Sequence, residues 1–218
     1  MEPIPGATSS PRGARALLAA GAALVALLAV SGIDPYDRLT WAAEVFPVVF
    51  VLPVLAATRR RFPLTTLLYC LIFAHALVLM LGGAYTYARV PLGFWIQDLL
   101  DAGRNPYDKI GHFFQGLVPA IAAREVLVRG GHVRRGKMLV FLVLCVVLAI
   151  SAAYEFIEWG AALLLGQGAE EFLGTQGYEW DTQSDMLYAL IGGCAALGLL
   201  SRAHDRQMAR LDGGDRGT

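Results

Sequence analysis

Long apolar runs, separated by short charged or Gly- and Pro-containing stretches, constrain this chain more than any other feature. A helix that crosses a bilayer needs about 20 mostly apolar residues. Runs of about that length occur at 14 to 33, 42 to 57, 64 to 83, 108 to 128, 138 to 165 and 184 to 201. Hydrophobic residues make up 56% of the 218 residues and charged residues only 17%, and the mean hydropathy is +0.52, which is typical of membrane proteins. The sequence therefore predicts an all-α polytopic membrane protein, a bundle of about six transmembrane helices.

The first two runs differ from the others. The first follows Arg12 and Arg15, and its length also fits a secretory signal peptide. Two interpretations thus stay open, an uncleaved span and a cleaved signal, of which we favour the uncleaved span. The second run is short and contains Pro47 and Pro53, which are expected to kink it.

The distribution of Lys and Arg predicts the orientation, because cytoplasmic loops hold an excess of them. Of the 18 basic residues, 13 lie at the N-terminus, after spans two and four, and in the tail. The intervening loops hold few, and residues 166 to 183 hold none. We predict that both termini are cytoplasmic, with an N-terminal segment at 1–13, a transmembrane domain at 14–203 and a disordered tail at 204–218.

Other features exclude some classes of function. Basic and acidic residues number 18 each, so the net charge gives no support for a nucleic-acid partner. Cys70, Cys145 and Cys194 lie in three different apolar runs, which predicts neither a disulfide framework nor a zinc knuckle. The loop from 84 to 105 is predicted to form a short amphipathic helix in the outer interface, with Trp95 as an anchor.

The start of span four combines a helix-start signal with charged residues. Asn105 followed by Pro106 is typical of a helix N-terminus. Asp108 and His112 are four residues apart and share a helix face, which Gln115 continues. Lys109 lies beside them.

Acids follow in the two later spans, near the same predicted outer surface. Glu155 and Glu158 are three residues apart, and an acid inside a membrane costs at least a few kcal/mol unless it is paired or hydrated, so both are expected to face the bundle. Asp181 and Asp185 precede span six, where Thr182 with Asp185 predicts a capping box. We therefore predict that polar residues of three helices converge at the outer end of the bundle.

This set predicts a site of uncertain chemistry. One His with several carboxylates is able to hold a divalent cation, and crowded acids also suit general acid/base work. The predicted catalytic or metal-binding residues are His112, Glu155, Glu158 and Asp185; the predicted substrate-binding residues are Lys109, Asp108, Asp181 and Gln115. No named catalytic motif occurs. No special role is predicted for His75, Arg124, Glu125, His132 or His204.

Three segments carry a family resemblance. They are "RNPYDKIGHFFQGLVPAIAAREVL", "AAYEFIEWGAALLLG" and "GYEWDTQSDMLYALIGG". Together they resemble the YjdF family of bacterial inner-membrane proteins, whose domain has no established function, and they are more distantly similar to VanZ-like membrane proteins. The VanZ-like elements are Asp108, Lys109 and His112, then Glu155 and Glu158, then Asp181, Asp185 and Gly192. The resemblance implies a multi-pass protein of the bacterial inner membrane and supplies no reaction.

Two hypotheses on function remain. In the first, an outward-facing pocket binds, and in one version processes, a cell-envelope or lipid-linked ligand with a divalent metal ion. His112 is then an acid/base or a metal ligand, and Lys109 contacts an anion. In the second, the same residues form a structural polar network in a non-catalytic transporter, stress factor or assembly factor. Membrane lipids are partners in both.

Overall fold

The computed structural model describes residues 11–165 and 176–213, and every regular element in these ranges is helical. The long helices begin and end within about four residues of the predicted spans, whereas the last helical stretch continues past its predicted end at residue 201. The long helices are α1 (Pro11–Ser31), α2 (Arg38–Thr58), α3 (Thr66–Tyr85), α5 (Tyr107–Arg129) and α6 (Lys137–Leu165), and the shorter ones are α4 (Pro91–Leu100), α7 (Asp181–Ala195) and α8 (Ser201–Gly213). A π-helical turn, Ala196–Leu200, joins α7 to α8.

Within residues 11–165 and 176–213, five helical segments are long and apolar enough to cross a membrane. Four of them lie in α1, α2, α3 and α6, and the fifth is the continuous stretch from Asp181 to Asp212. Large apolar side chains on α1, α2 and α6 are exposed, among them Leu18, Val25, Phe46, Phe50, Phe156 and Leu164. An exposed apolar surface of this extent is suited to contact with lipid, which confirms the predicted class of polytopic all-α membrane protein.

Helix α5 lies at the centre of the bundle, although it is not among those five apolar segments. It packs against α3, α6 and α7, and its contact with α7 is the most extensive in the described structure. Glycines allow this close approach: a Cβ on Gly116 would overlap the carbonyl oxygen of Ala189, and one on Gly192 would overlap that of Phe113. Because neighbouring helices surround α5, its polar residues face protein rather than lipid.

The connection between α3 and α5 contains the predicted short helix, α4. Its apolar side chains Phe94, Trp95, Leu99 and Leu100 are exposed. Placement of α4 in the outer interface stays a prediction. The side chain of Asn105 is buried; its Oδ1 accepts from the Tyr107 N–H at 3.0 Å, and its Nδ2 donates to the Val90 carbonyl at 3.0 Å. The N-cap residue of α5 is Pro106, one position later than predicted. Asn105 satisfies the first backbone N–H of α5 and also ties this helix to the start of α4.

Two local predictions were wrong. The helix α7 begins at Asp181 with Trp180 as its N-cap, and no side chain caps it, so Thr182 and Asp185 do not form a capping box; Asp185 turns instead toward Lys109. The chain is also helical through Gly213 rather than disordered from residue 204. Packing explains the difference, because His204, Met208 and Leu211 on α8 are buried. Residues 1–10, 166–175 and 214–218, which include most of the stretch without basic residues at 166–183, lie outside the described ranges.

Candidate functional site

Three aspartates surround Lys109 at the predicted outer end of α5 and α7. The Lys109 Nζ lies 3.3 Å from Asp108, 3.0 Å from Asp181 and 2.5 Å from Asp185. We call Asp108, Lys109, His112, Asp181 and Asp185 the outer cluster. The Arg104 guanidinium donates to Asp181 at 2.6 Å, so the charge of this third aspartate is shared between two cations.

Asp108 and Asp185 each divide their two oxygens between Lys109 and His112. Asp108 turns Oδ2 to Lys109 and Oδ1 to the His112 Nε2, which is 3.3 Å away. Asp185 turns Oδ1 to Lys109 and Oδ2 to the same Nε2 at 3.6 Å. One oxygen of each carboxylate and one ring nitrogen therefore face a common point.

These three donors form a group that could hold a metal ion. Single donor atoms of Asp108, His112 and Asp185 all lie within 4.8 Å of one another, and all three residues are buried. Two carboxylates and an imidazole suit a hard or borderline divalent cation. The Nδ1 of His112 is 3.1 Å from the Gln115 Oε1, which orients the ring and leaves Nε2 toward the carboxylates.

The two predicted glutamates stand apart from this group. Neither Glu155 nor Glu158 belongs to the donor group found among the described residues. Glu155 is buried, and its Oε1 has no hydrogen-bond partner in the described structure. Glu158 instead lines a cavity that Asp108 and His112 also line. The structure thus brings together His112 and Asp185 of the predicted metal ligands and adds Asp108, which the sequence analysis placed among the substrate-binding residues.

That cavity has a volume of about 740 Å³ and lies between α2, α3, α5 and α6. Most of its lining is apolar; the polar lining residues are Glu44, Thr58, His75, Tyr87, Asp108, His112, Gln115, Tyr154 and Glu158. Glu44 was not among the predicted site residues, and no role was predicted for His75. The single acid in the apolar run of α2 is a signal that could have found Glu44.

A second polar cluster lies at the other end of α5 and was also missed. Glu125 accepts hydrogen bonds from the Thr65 N–H at 2.9 Å, the Thr65 hydroxyl at 2.7 Å, Arg129 at 2.8 Å and His204 at 2.9 Å. Arg124 lies 3.2 Å from the His204 Nδ1 and donates to Asp205 at 2.9 Å. Since arginine only donates, Nδ1 of His204 accepts, and the ring proton on Nε2 is donated to Glu125. We call Thr65, Arg124, Glu125, Arg129 and His204 the inner cluster.

Comparison with known proteins identifies the family. The family model described as "Predicted membrane protein (DUF2238)" matches residues 16–206. The chain is 61% identical over 188 residues to the inner membrane protein YjdF of Escherichia coli (strain K12), an alignment that covers 86% of this chain and 90% of that protein. No solved structure matches, and the more distant likeness to VanZ-like proteins stays a prediction. The chain therefore belongs to the YjdF (DUF2238) family of multi-pass inner-membrane proteins.

Proposed function

We propose that the outer cluster binds a divalent cation and that the cation, with Lys109, binds and processes a cell-envelope or lipid-linked ligand at the outer face of the inner membrane. The observation that supports this most is the group formed by Asp108, His112 and Asp185, whose donor atoms lie within 4.8 Å of one another. Lys109 balances one of the two negative charges of Asp108 and Asp185. The remaining negative charge favours a divalent cation.

The environment of these donors also suits a metal centre. They lie on two helices that pack closely through Gly116 and Gly192, so the ligands are carried on rigid elements. Gln115 holds the ring of His112, and Lys109 holds one oxygen of each aspartate. Such outer contacts orient metal ligands and affect metal affinity.

A direct test is metal binding by the purified full-length protein. We expect the protein in detergent, stripped with a chelator and titrated with Mn²⁺ or Zn²⁺, to bind about one equivalent; Asp185→Asn and His112→Ala should each weaken binding at least about tenfold. Asp98→Asn is the matched control, because Asp98 is exposed on α4. Absence of binding to the wild type, or equal binding by Asp185→Asn and Asp98→Asn, would contradict the proposal.

The structural alternative has its own support. All three aspartates of the outer cluster are already ion-paired with Lys109, and such a closed network is able to fix the position of α7 against α5. Removing one partner of a buried ion pair typically costs 3–5 kcal/mol. If Asp185→Asn melts far below the wild type and the wild type binds no metal, the structural alternative is favoured. If Asp185→Asn keeps its melting temperature and loses metal, the binding site is favoured.

A further inference from the structure

The cavity beside His112 has the length of a hydrocarbon chain and a polar end. Its lining on α2 runs from Glu44 to Thr58, about 21 Å along a helix, and on α5 from Asp108 to Val126, about 27 Å. The hydrocarbon core of a bilayer is about 30 Å thick. The cavity thus follows most of the depth of the membrane, and its volume of about 740 Å³ lies within the range of ligand pockets.

Polarity changes along the cavity. Its carboxylates all lie toward the predicted outer end, on α2, α5 and α6. Toward the predicted inner end the lining consists mainly of apolar side chains, including Leu55, Phe62, Leu64, Ala122 and Val126. A compact polar solute would leave the apolar part unused, whereas an amphiphile with one long chain matches both parts.

The cavity also opens sideways, toward lipid. Helix α2 packs on α3 but has no substantial packing with α5 or α6 in the described residues. Phe50, Val54 and Val126 line the cavity and yet are 61%, 43% and 48% exposed on the apolar surface of the bundle. A lipid of the bilayer can therefore enter between α2 and α5 without moving its chain through water.

The polar end favours a cationic group. Glu44 and Glu158 line it together with Asp108, which is already paired with Lys109, and none of the described lining residues is a Lys or Arg. Carboxylates in a membrane are costly unless they are paired. In addition, the Nε2 of His75 is buried on this lining without a hydrogen-bond partner; in the tautomer with its proton on Nδ1, this nitrogen accepts a hydrogen bond from a headgroup.

We propose that the cavity binds one membrane lipid whose headgroup carries a primary amine. The ammonium group lies at the end lined by Glu44 and Glu158, and one acyl chain extends between α2 and α5 toward Val126. This inference rests on the proposed function, because it names the class of lipid that the outer site receives. It does not require that the outer cluster hold a metal.

Lipid retention by the full-length protein tests the proposal. The protein is purified in detergent, delipidated, and reconstituted with phosphatidylethanolamine, with phosphatidylcholine, whose nitrogen is fully methylated, or with phosphatidylglycerol, which has no amine. Lipid that remains after repurification in detergent is then counted by mass spectrometry of extracts. We expect about one phosphatidylethanolamine per chain and about tenfold less of the other two lipids. Neither of these lipids can donate an N–H to the carboxylates, and the loss of one such charge-assisted hydrogen bond lowers affinity about tenfold.

Two variants test separately how the polar end and the apolar part of the cavity contribute to lipid retention. Glu44→Gln should lower phosphatidylethanolamine retention about tenfold, and Ala122→Phe, which fills the cavity next to its inner end, should lower retention of all lipids. Glu179→Gln is the matched control, since Glu179 is exposed and outside the cavity. Equal retention of the three lipids by the wild type, or unchanged retention in both variants, would overturn the proposal.

Metal binding distinguishes failure of this inference from failure of the proposed function. Glu44 is not in the donor group of Asp108, His112 and Asp185, so Glu44→Gln should bind metal as the wild type does. A protein that binds metal but shows no preference among the lipids would refute only the lipid inference. A protein that retains the amine lipid but binds no metal would refute the metal centre and leave the lipid site standing.

Discussion

Replacing Glu125 with glutamine is expected to destabilise the protein strongly. The carboxylate is fully buried and its two oxygens accept four hydrogen bonds, two from Thr65 and one each from Arg129 and His204. Glutamine keeps one acceptor oxygen and places an NH₂ group where the other oxygen was. In the more favourable of its two orientations, the amide places this NH₂ at the former Oε2, which accepts from the Thr65 hydroxyl and from His204. The hydroxyl can rotate and accept a hydrogen bond from the NH₂, but the His204 N–H then has no acceptor.

The magnitude follows from this geometry. One buried N–H left without an acceptor costs about 1–3 kcal/mol, and the ion pair between Glu125 and Arg129 is lost in addition. Breaking a buried pair by removing one charged partner typically costs 3–5 kcal/mol. We therefore expect Glu125→Gln to lower the free energy of unfolding by about 3–5 kcal/mol, and the melting temperature by roughly 6–20 °C for a chain of this size.

Thermal unfolding of the detergent-solubilised full-length chain, followed by tryptophan fluorescence and by circular dichroism, measures this effect. Glu179→Gln makes the same chemical change at an exposed position and should melt like the wild type. A melting temperature for Glu125→Gln within roughly 2 °C of the wild type would refute the reasoning, because it would mean that the four contacts at Glu125 contribute no net stability.

Two further predictions concern the packing and the orientation of the helices. Gly116→Ala should destabilise the fold because the new Cβ meets the Ala189 carbonyl, whereas Gly160→Ala, with open space at its Cβ, should not; melting temperatures of the two variants compare them directly. In a chain freed of its native cysteines, Asp98→Cys should react with a membrane-impermeant maleimide added to intact cells, and Arg134→Cys should react only after lysis, because the charge distribution places their loops on opposite sides. The reverse labelling pattern would show that the predicted orientation is wrong.

Helix bounds were predictable from the sequence because each depends on local information. The apolar runs, the Asn105 cap and the charged loops gave α1, α2, α3, α5 and α6 to within about four residues. The grouping of Asp108, His112 and Asp185 was only partly predictable. Spacing places Asp108 and His112 on one face, but which acid of another helix meets them depends on rotation of that helix, and Asp185 meets them where Glu155 and Glu158 do not.

The inner cluster could not be predicted for a related reason. His204 lies about 80 positions after Arg124 and Glu125 and on a different helix, and charged residues near the end of a span are usually solvated. The helix continues through Gly213, and the spacing of His204, Met208 and Leu211, four and three residues apart, places these buried side chains on one face. That spacing indicates a buried face, but the partner of His204 on α5 depends on the tertiary contact between the two helices.

Helix α5 explains why both clusters persist in a chain that is otherwise so apolar. Its 23 residues span about 34 Å, and the helix is enclosed by α3, α6 and α7, so its charged residues find partners on neighbours instead of meeting lipid. Asp108 and Glu125 are separated by about 25 Å along this helix, which places one polar cluster near each surface of the bilayer. The inner cluster is closed by its own hydrogen bonds, which favours a role in stability. In the outer cluster one oxygen each of Asp108 and Asp185 faces His112 beside a cavity, and this difference is why we assign ligand binding to the outer end.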